Sequence, residues 1–441
     1  MSGVNSVSNS VLCPAIFISA PASGQGKTTV TAALARLHRQ QGRRVIVFKT
    51  GPDFLDPTIL ERASGNPVYQ LDMWMGGEAH CRELLYNAAQ KADLILIEGV
   101  MGLFDGAPSS AELAMLFNIP VLAVINAASM AQTFGALAHG LANYNKNLLF
   151  AGVIANRVAS ANHAEMIAES LPKGMRYYGA LPRDQNIELP SRHLGLVTAD
   201  EVNDLEKRIN LAAKKLLDTG LDMLPDVVVF TSLEAGSTRI DNRPLSGHKI
   251  SIAQDQAFSF IYRANIECLE SLGAKISYFS PINDNSLPES DSVYFPGGYP
   301  ELHLKSLSNN HSMIKSIKQH HTQNKPIIAE CGGMLYLLES LTDTAGNKAN
   351  MAGLLTGTAV MQQKLTNLGM HSMTLPEGEI RGHTFHHSTM ETAMQPITTT
   401  SSTRKKGRGE AVYRSQRLHA SYLHMYFPSN PNACARLFKH D

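Results

Sequence analysis

The stretch Phe17-Ile-Ser-Ala-Pro-Ala-Ser-Gly24-Gln-Gly26-Lys27-Thr28-Thr29 reads as an apolar strand, a short glycine-containing loop and the start of a helix. That order is what a phosphate-binding loop needs. Glycines at 24 and 26 let successive backbone N–H groups turn inward on an anion. The helix adds its positive N-terminal end, Lys27 a point charge, and Thr28 a hydroxyl suited to Mg²⁺. Pro21 stands where the usual spacing has a glycine, so the loop is a variant. The stretch predicts binding of a nucleoside triphosphate through Gly24, Gly26, Lys27, Thr28 and Thr29.

Working outward, short apolar runs alternate with helical patterns from Ala15 to about Leu181. The runs Ala15–Ser19, Val45–Lys49, Leu94–Ile97, Val121–Ile125, Gly152–Ala155 and Tyr177–Ala180 are expected strands. Gly42 is placed to end the first helix. Near-continuous apolar strands separated by helices predict a parallel sheet covered on both faces, with ligands at the carboxyl ends of its strands. After the second strand come Asp53 and Asp56, which suit either phosphoryl chemistry or turn and cap bonds. After the third come Glu98, placed to hold Mg²⁺ or its water, and Asp105, for which function and structure weigh equally. Asn156, after the fifth, either contacts an adenine ring or closes a turn.

The chain has 441 residues, enough for two or three domains. Its 39 Lys and Arg balance 38 Asp and Glu, which argues against a nucleic-acid or membrane-surface partner. No run approaches the ~18 apolar residues of a membrane span. The uncharged Ser/Asn-rich start lacks the basic region of a secretory signal, and five cysteines without paired spacing fit a reducing cytoplasm. A basic cluster, Arg404 to Arg408, reads as a solvated loop.

Residues 1–230 are expected to form the nucleotide domain, 231–247 a linker and 248–441 a second α/β domain. The stretch from Leu224 to Phe230 has linker character too. In the second half, Lys325-Pro-Ile-Ile-Ala-Glu-Cys331-Gly332-Gly333 is a buried strand that stops at a cysteine and resumes as a helix. A thiol on such an elbow is exposed at the sheet edge, and a helix N-terminus there would lower its pKa. Upstream, a strand ends in Gly297-Gly298, whose N–H groups, with that of Gly332, are expected to serve an oxyanion. A thiol nucleophile needs a base, and His419 and His424 lie near the C-terminus.

These motifs closely resemble the cobyrinic acid a,c-diamide synthase family. It lies among glutamine-dependent amidotransferases that include cobyric acid synthase and share an ATP domain with dethiobiotin synthetase. The resemblance runs from Ile18 to about Phe427. It is carried by Ser19-Ala-Pro-Ala-Ser-Gly-Gln-Gly-Lys-Thr, Gly51-Pro-Asp-Phe-Leu-Asp-Pro, Glu98-Gly-Val-Met-Gly-Leu-Phe-Asp-Gly, Phe295-Pro-Gly-Gly-Tyr-Pro-Glu-Leu, Glu330-Cys-Gly-Gly, Arg381-Gly-His-Thr-Phe-His and Ala420-Ser-Tyr-Leu-His. It implies two doubly wound domains, a dethiobiotin-synthetase-like phosphate-loop domain and a class I glutamine amidotransferase domain. It makes Cys331 the glutaminase nucleophile and His424 its base, and gives Asp53, Asp56, Glu98 and Asp105 to Mg·ATP and the phosphorylated substrate.

Two departures stand out. Tyr426 replaces a second histidine often found two residues after the base, and the acid that completes many class I triads is absent there, leaving a Cys–His dyad. Thr384 and His387 replace a glutamate and a tyrosine, and His383, His386 and His387 receive no ligand role.

The implied chemistry is phosphorylation of a carboxylate by ATP, then displacement by ammonia made from glutamine and passed between domains sheltered from solvent. By the same resemblance the expected substrate is a corrin-type tetrapyrrole, with Arg192 a candidate for its carboxylates. The rivals are hydrogenobyrinic acid or nickel-sirohydrochlorin as the macrocycle, and a phosphate-loop switch ATPase with a degenerate second domain. An extra lysine typical of partition ATPases is missing, Ala22 standing there, which disfavours the switch. The expected setting is cytoplasmic, and a homodimer is left open.

Overall fold

A computed structural model of the chain describes residues 10–189, 199, 202–217, 219–232 and 243–439. It divides into two compact units: Met1–Met73 with Glu78–Ser237, and Trp74–Gly77 with Thr238–Asp441. Among the described residues no helix is long and apolar enough to cross a membrane.

The first unit runs β1 (Ser10–Ser19), α1 (Lys27–Gln40), β2 (Val45–Thr50), α2 (Asp56–Ser64), β3 (Tyr69–Leu71), α3 (Gly77–Ala89), β4 (Leu94–Glu98), α4 (Ser110–Leu116), β5 (Val121–Asn126), α5 (Thr133–Asn143), β6 (Phe150–Val158), α6 (Ala161–Glu169), β7 (Tyr177–Pro182), α7 (Leu205–Leu216) and β8 (Val227–Thr231). Seven strands order as β3-β2-β4-β1-β5-β6-β7 and pair in parallel. The apolar runs are strands because both faces are covered, and two buried clusters of side chains lie against the sheet. From β1 the chain moves out past β4, then returns to build β5 on the other side. The phosphate loop thus leaves the central strand at the point where the winding reverses, where such sheets bind ligands.

All six expected strands are present, and two more join them. β3 has three residues, too few for a periodic signal. Val227–Thr231, within the stretch of linker character, is a strand that pairs antiparallel with Ser10–Pro14 of β1. Its side chains alternate, Val228 and Phe230 being buried while Val227 and Val229 are exposed. The amphipathic helix expected over 199–217 is α7, Leu205–Leu216.

The second unit runs β9 (Lys249–Ala253), α8 (Arg263–Ser271), β10 (Lys275–Phe279), β11 (Ser292–Phe295), α9 (Leu304–Asn309), α10 (His311–Thr322), β12 (Ile327–Glu330) and α11 (Gly332–Leu337). Its main sheet orders as β10-β9-β11-β12, then Leu418–Ser421, Ala411–Ser415 and Thr398–Thr399. The first five strands are parallel and the last two antiparallel. A hairpin of Asn367–Leu375 and Gly378–His386 carries the short strand His424–Met425 on its edge, pairing His383 with His424.

Candidate functional site

In the first unit, parallel register makes the site before any side chain is considered. Ile18 of β1 and Lys49 of β2 both face Glu98 of β4 across the ladder. The strands therefore deliver a lysine and a glutamate to one row at the base of the phosphate loop.

Gly24 and Gly26 have φ of 75° and 92°, so the loop turns as its sequence implies. Gly26 is also crowded: a methyl group there would lie 2.1 Å from Nδ2 of Asn156. That amide donates to the Gln25 carbonyl at 2.8 Å, and the Gln25 side chain accepts from the Asn126 N–H at 2.9 Å. Asn156, offered as an adenine contact or a turn closer, here braces the loop from the ends of β5 and β6. Thr29 follows on the first turn of α1 and is half-buried.

Lys27 donates from Nζ to the carbonyls of Ala22 at 3.3 Å and Met101 at 2.5 Å. Burial, and then the charge of Lys49, push its ammonium down to about 8. The Thr28 hydroxyl donates to Oε1 of Glu98 at 2.8 Å. Glu98 is buried, and burial and Asp56 raise its carboxyl against the pull of Lys49. Its Oε2 is buried and makes no hydrogen bond.

Lys49 is the residue that sequence reasoning missed. Its Nζ lies 3.3 Å from Glu98, 3.5 Å from Asp56 and 3.9 Å from Asp53. Burial opposes its charge, but the three carboxylates outweigh burial and hold it above the ordinary lysine value. The signal was present as a lysine at the end of an otherwise apolar strand. Asp53 accepts through Oδ1 from the N–H groups of Leu55 and Asp56, so it serves the turn into α2 as well as Lys49. Asp105 accepts from the Gly102 N–H at 3.1 Å and closes its own loop. Arg192 lies outside the described residues.

The residues fit a magnesium ion. The Thr28 hydroxyl and the unbonded Glu98 oxygen are hard donors beside a phosphate loop, as such an ion requires. Among the described residues, no group of three or more His, Cys, Asp or Glu side chains is arranged to hold a metal without further ligands.

In the second unit, Cys331 sits on the elbow with φ 44° and ψ −110°, between β12 and α11. Its N–H donates to the Ser421 carbonyl on the neighbouring strand at 2.8 Å. That bond brings the end of β12 beside the segment that carries His424. Gly297 and Gly298 follow β11 on the other side. A methyl on Gly297 would lie 2.2 Å from Cε1 of His424, and one on Gly332 would lie 2.7 Å from the Gly298 carbonyl oxygen. Gly298, Gly332, Cys331 and His424 thus converge from three neighbouring strands.

The electrostatics correct one expectation. A thiol lowered by the helix end was predicted, yet burial and Glu301 hold Cys331 well above the ordinary thiol value, outweighing its bond with the Gly332 N–H. Cys331 is only 6% exposed. Burial and His386 push His424 down to about 3. The resting pair is a neutral thiol and a neutral imidazole, as the water-poor pocket favours.

His419 has different neighbours. Its ring faces the Arg414 guanidinium, which in turn pairs with Glu377 at 2.7 Å. The Arg381–His387 stretch, left without a role in the sequence, packs against the site. The His383 ring stacks on His424 at 4.9 Å and its Nδ1 meets the Tyr262 hydroxyl at 2.9 Å. His386 stacks on Tyr422 at 3.7 Å, and its two nitrogens face the Ser388 carbonyl and the Glu410 carboxylate. Thr384 donates to that same carboxylate at 3.0 Å.

Residues 16–197 match the CobQ/CobB/MinD/ParA nucleotide binding domain, and residues 249–432 match the CobB/CobQ-like glutamine amidotransferase domain. A hydrogenobyrinate a,c-diamide synthase of Stutzerimonas stutzeri is 58% identical over 97% of this chain and 99% of its own length. The chain belongs to the a,c-diamide synthase family. Another member named for hydrogenobyrinate, from Pseudomonas aeruginosa, is 56% identical over 96% of this chain and 97% of its own. A cobyrinate a,c-diamide synthase of Herminiimonas arsenicoxydans is 50% identical over 96% of each. As a member of this family the chain is a glutamine-hydrolysing ligase with ATP as a substrate, and the switch-ATPase reading is not favoured.

Proposed function

We propose that this diamide synthase amidates the a and c acetate carboxylates of cobyrinate in the cytoplasm, as a step of cobalamin biosynthesis, with glutamine as nitrogen source. The observation that supports it most is the presence in one chain of a lysine-bearing phosphate loop and an elbow cysteine whose strand neighbours the segment leading to His424.

A substrate carboxylate oxygen attacks the γ-phosphorus of ATP, the bond to the β-phosphate oxygen breaks, and ADP leaves. Lys27, Lys49 and the loop amides stabilise the charge on the transferring group. Thr28 and Glu98, with Asp53 nearby, would hold Mg²⁺, which when bound neutralises phosphate charge. In the second unit the Cys331 sulfur attacks the glutamine amide carbon as its proton passes to His424. The N–H groups of Gly298 and Gly332 receive the oxyanion. The imidazolium then protonates the leaving ammonia, and water hydrolyses the thioester to glutamate. Ammonia attacks the acyl phosphate and expels inorganic phosphate, leaving the amide. Two rounds give the diamide.

The names of the 58% and 56% identical relatives favour a second reading, hydrogenobyrinate as the macrocycle. Incubation with ATP, Mg²⁺ and glutamine against cobyrinate, hydrogenobyrinate and nickel-sirohydrochlorin, with product mass as readout, separates the readings. The diamide is expected from cobyrinate. Glutamate release without an amide on any of the three would sink the proposal.

A further inference from the structure

Beside the nucleophile lies a buried carboxylate that the mechanism above does not use. Glu330 is the last residue of β12 and precedes Cys331. Its Oε2 accepts from the Tyr294 hydroxyl at 2.9 Å, and its Oε1 accepts from the Met425 N–H at 3.1 Å, the peptide next to His424. The same Oε2 lies 3.9 Å from Nδ1 of His424. One side chain therefore ties the nucleophile's strand to the base's strand and presents an oxygen to the imidazole.

We propose that Glu330 is the positioning residue for His424, supplying from the nucleophile's own strand the acid that the segment around the base lacks. This inference rests on the assignment of Cys331 and His424 to glutamine hydrolysis. A carboxylate oxygen beside Nδ1 favours the tautomer with its hydrogen there, which leaves the Nε2 lone pair to take the thiol proton. When that proton arrives, the imidazolium gains a nearby negative partner. Burial raises the Glu330 carboxyl to about 8 against the two donors aimed at it, so its charge is favoured when His424 becomes an imidazolium. Charge on His424 and charge on Glu330 thus reinforce one another, and the bond to Met425 keeps the ring in place while they form.

The test compares Glu330→Gln, Tyr294→Phe and His424→Ala in the full chain. Glu330→Gln keeps size and hydrogen-bonding capacity but removes the charge. Its kcat for glutamate release should fall about 100-fold with KM little changed. Alkylation of Cys331 by a diazoketone analogue of glutamine should slow by a similar factor. Tyr294→Phe keeps the carboxylate and should lose much less. Far-UV circular dichroism and the melting temperature report that each variant is folded, and ammonium-driven amidation should persist in all three. Wild-type kcat in Glu330→Gln, or an equal loss in Tyr294→Phe, overturns the inference. Retained glutaminase activity in His424→Ala overturns the assignment beneath it, a separate result.

Discussion

His424 occupies the space that a side chain on Gly297 would need: a methyl there would reach to 2.2 Å from Cε1 and 2.8 Å from Nδ1 of the imidazole. The ring also stacks on His383 at 4.9 Å, which limits its room to yield. Gly297→Ala should displace the base and lower glutamine-dependent amidation by at least about 100-fold. Amidation driven by high ammonium, at a pH that supplies free ammonia, should remain. Cys331→Ala should behave alike, whereas Lys27→Ala should fail with both nitrogen donors. Product formation by each variant with each donor checks this.

The two late histidines are separable. His424 lies among the residues at the elbow, while His419 is bound to Arg414, whose charge, after burial, pushes it down to about 4. His424→Ala should abolish glutamate release, and His419→Ala should leave it within a few-fold of the parent. The reverse ranking in a glutamate-release assay would transfer the role to His419.

Lys49 holds three carboxylates at 3.3 to 3.9 Å, so its removal has two consequences. Lys49→Met should abolish amidation with glutamine and with ammonium. It should also cost about 3–5 kcal/mol of stability, as carboxylates lose their buried partner. Glu98→Gln should reduce amidation by about 100-fold or more, with a smaller change in melting temperature. A Lys49→Met protein that amidates normally would remove the lysine from the phosphoryl site.

The phosphate loop should be pH-sensitive. Lys27 sits at about 8 without nucleotide, depressed first by burial and then by Lys49. Phosphate favours its charged form, so binding takes up a proton wherever the free lysine is neutral. Affinity for ATP should therefore be level below that value and weaken as pH rises through it, by up to about tenfold per unit. Titration calorimetry near pH 9, in buffers of different ionisation enthalpy, should show proton uptake. Its absence would place the Lys27 pKa elsewhere.

The two sites were legible to different depths for physical reasons. Residues at a strand end or directly after one, such as Glu98 and Cys331, announce themselves because a parallel sheet gathers strand ends, and Lys27 does so by opening the helix after a glycine-containing loop. Lys49 did not, since its partners come through lateral register with β4 and the turn into α2, which one sequence does not reveal. His383 and His386 reach the elbow through a hairpin that pairs His383 with His424, far away in the chain. Asn156 had two readings at the level of sequence, and its place behind Gly26, where it bonds to the Gln25 carbonyl, is set by the fold. The thiol shift was misjudged because a helix end is visible in sequence and depth of burial is not.

The strand Val227–Thr231 decides where the first unit may be cut. A fragment that ends before Val227 would strip Ser10–Pro14 of its antiparallel partner and leave a row of unpaired backbone groups beside the apolar Leu12. Such an open edge invites another chain to add to it. A fragment kept to Thr231 retains the closing strand. Dissection of the enzyme into separately expressed halves should therefore yield aggregates from the shorter piece and dispersed protein from the longer, a difference of a few residues that governs handling before any assay begins.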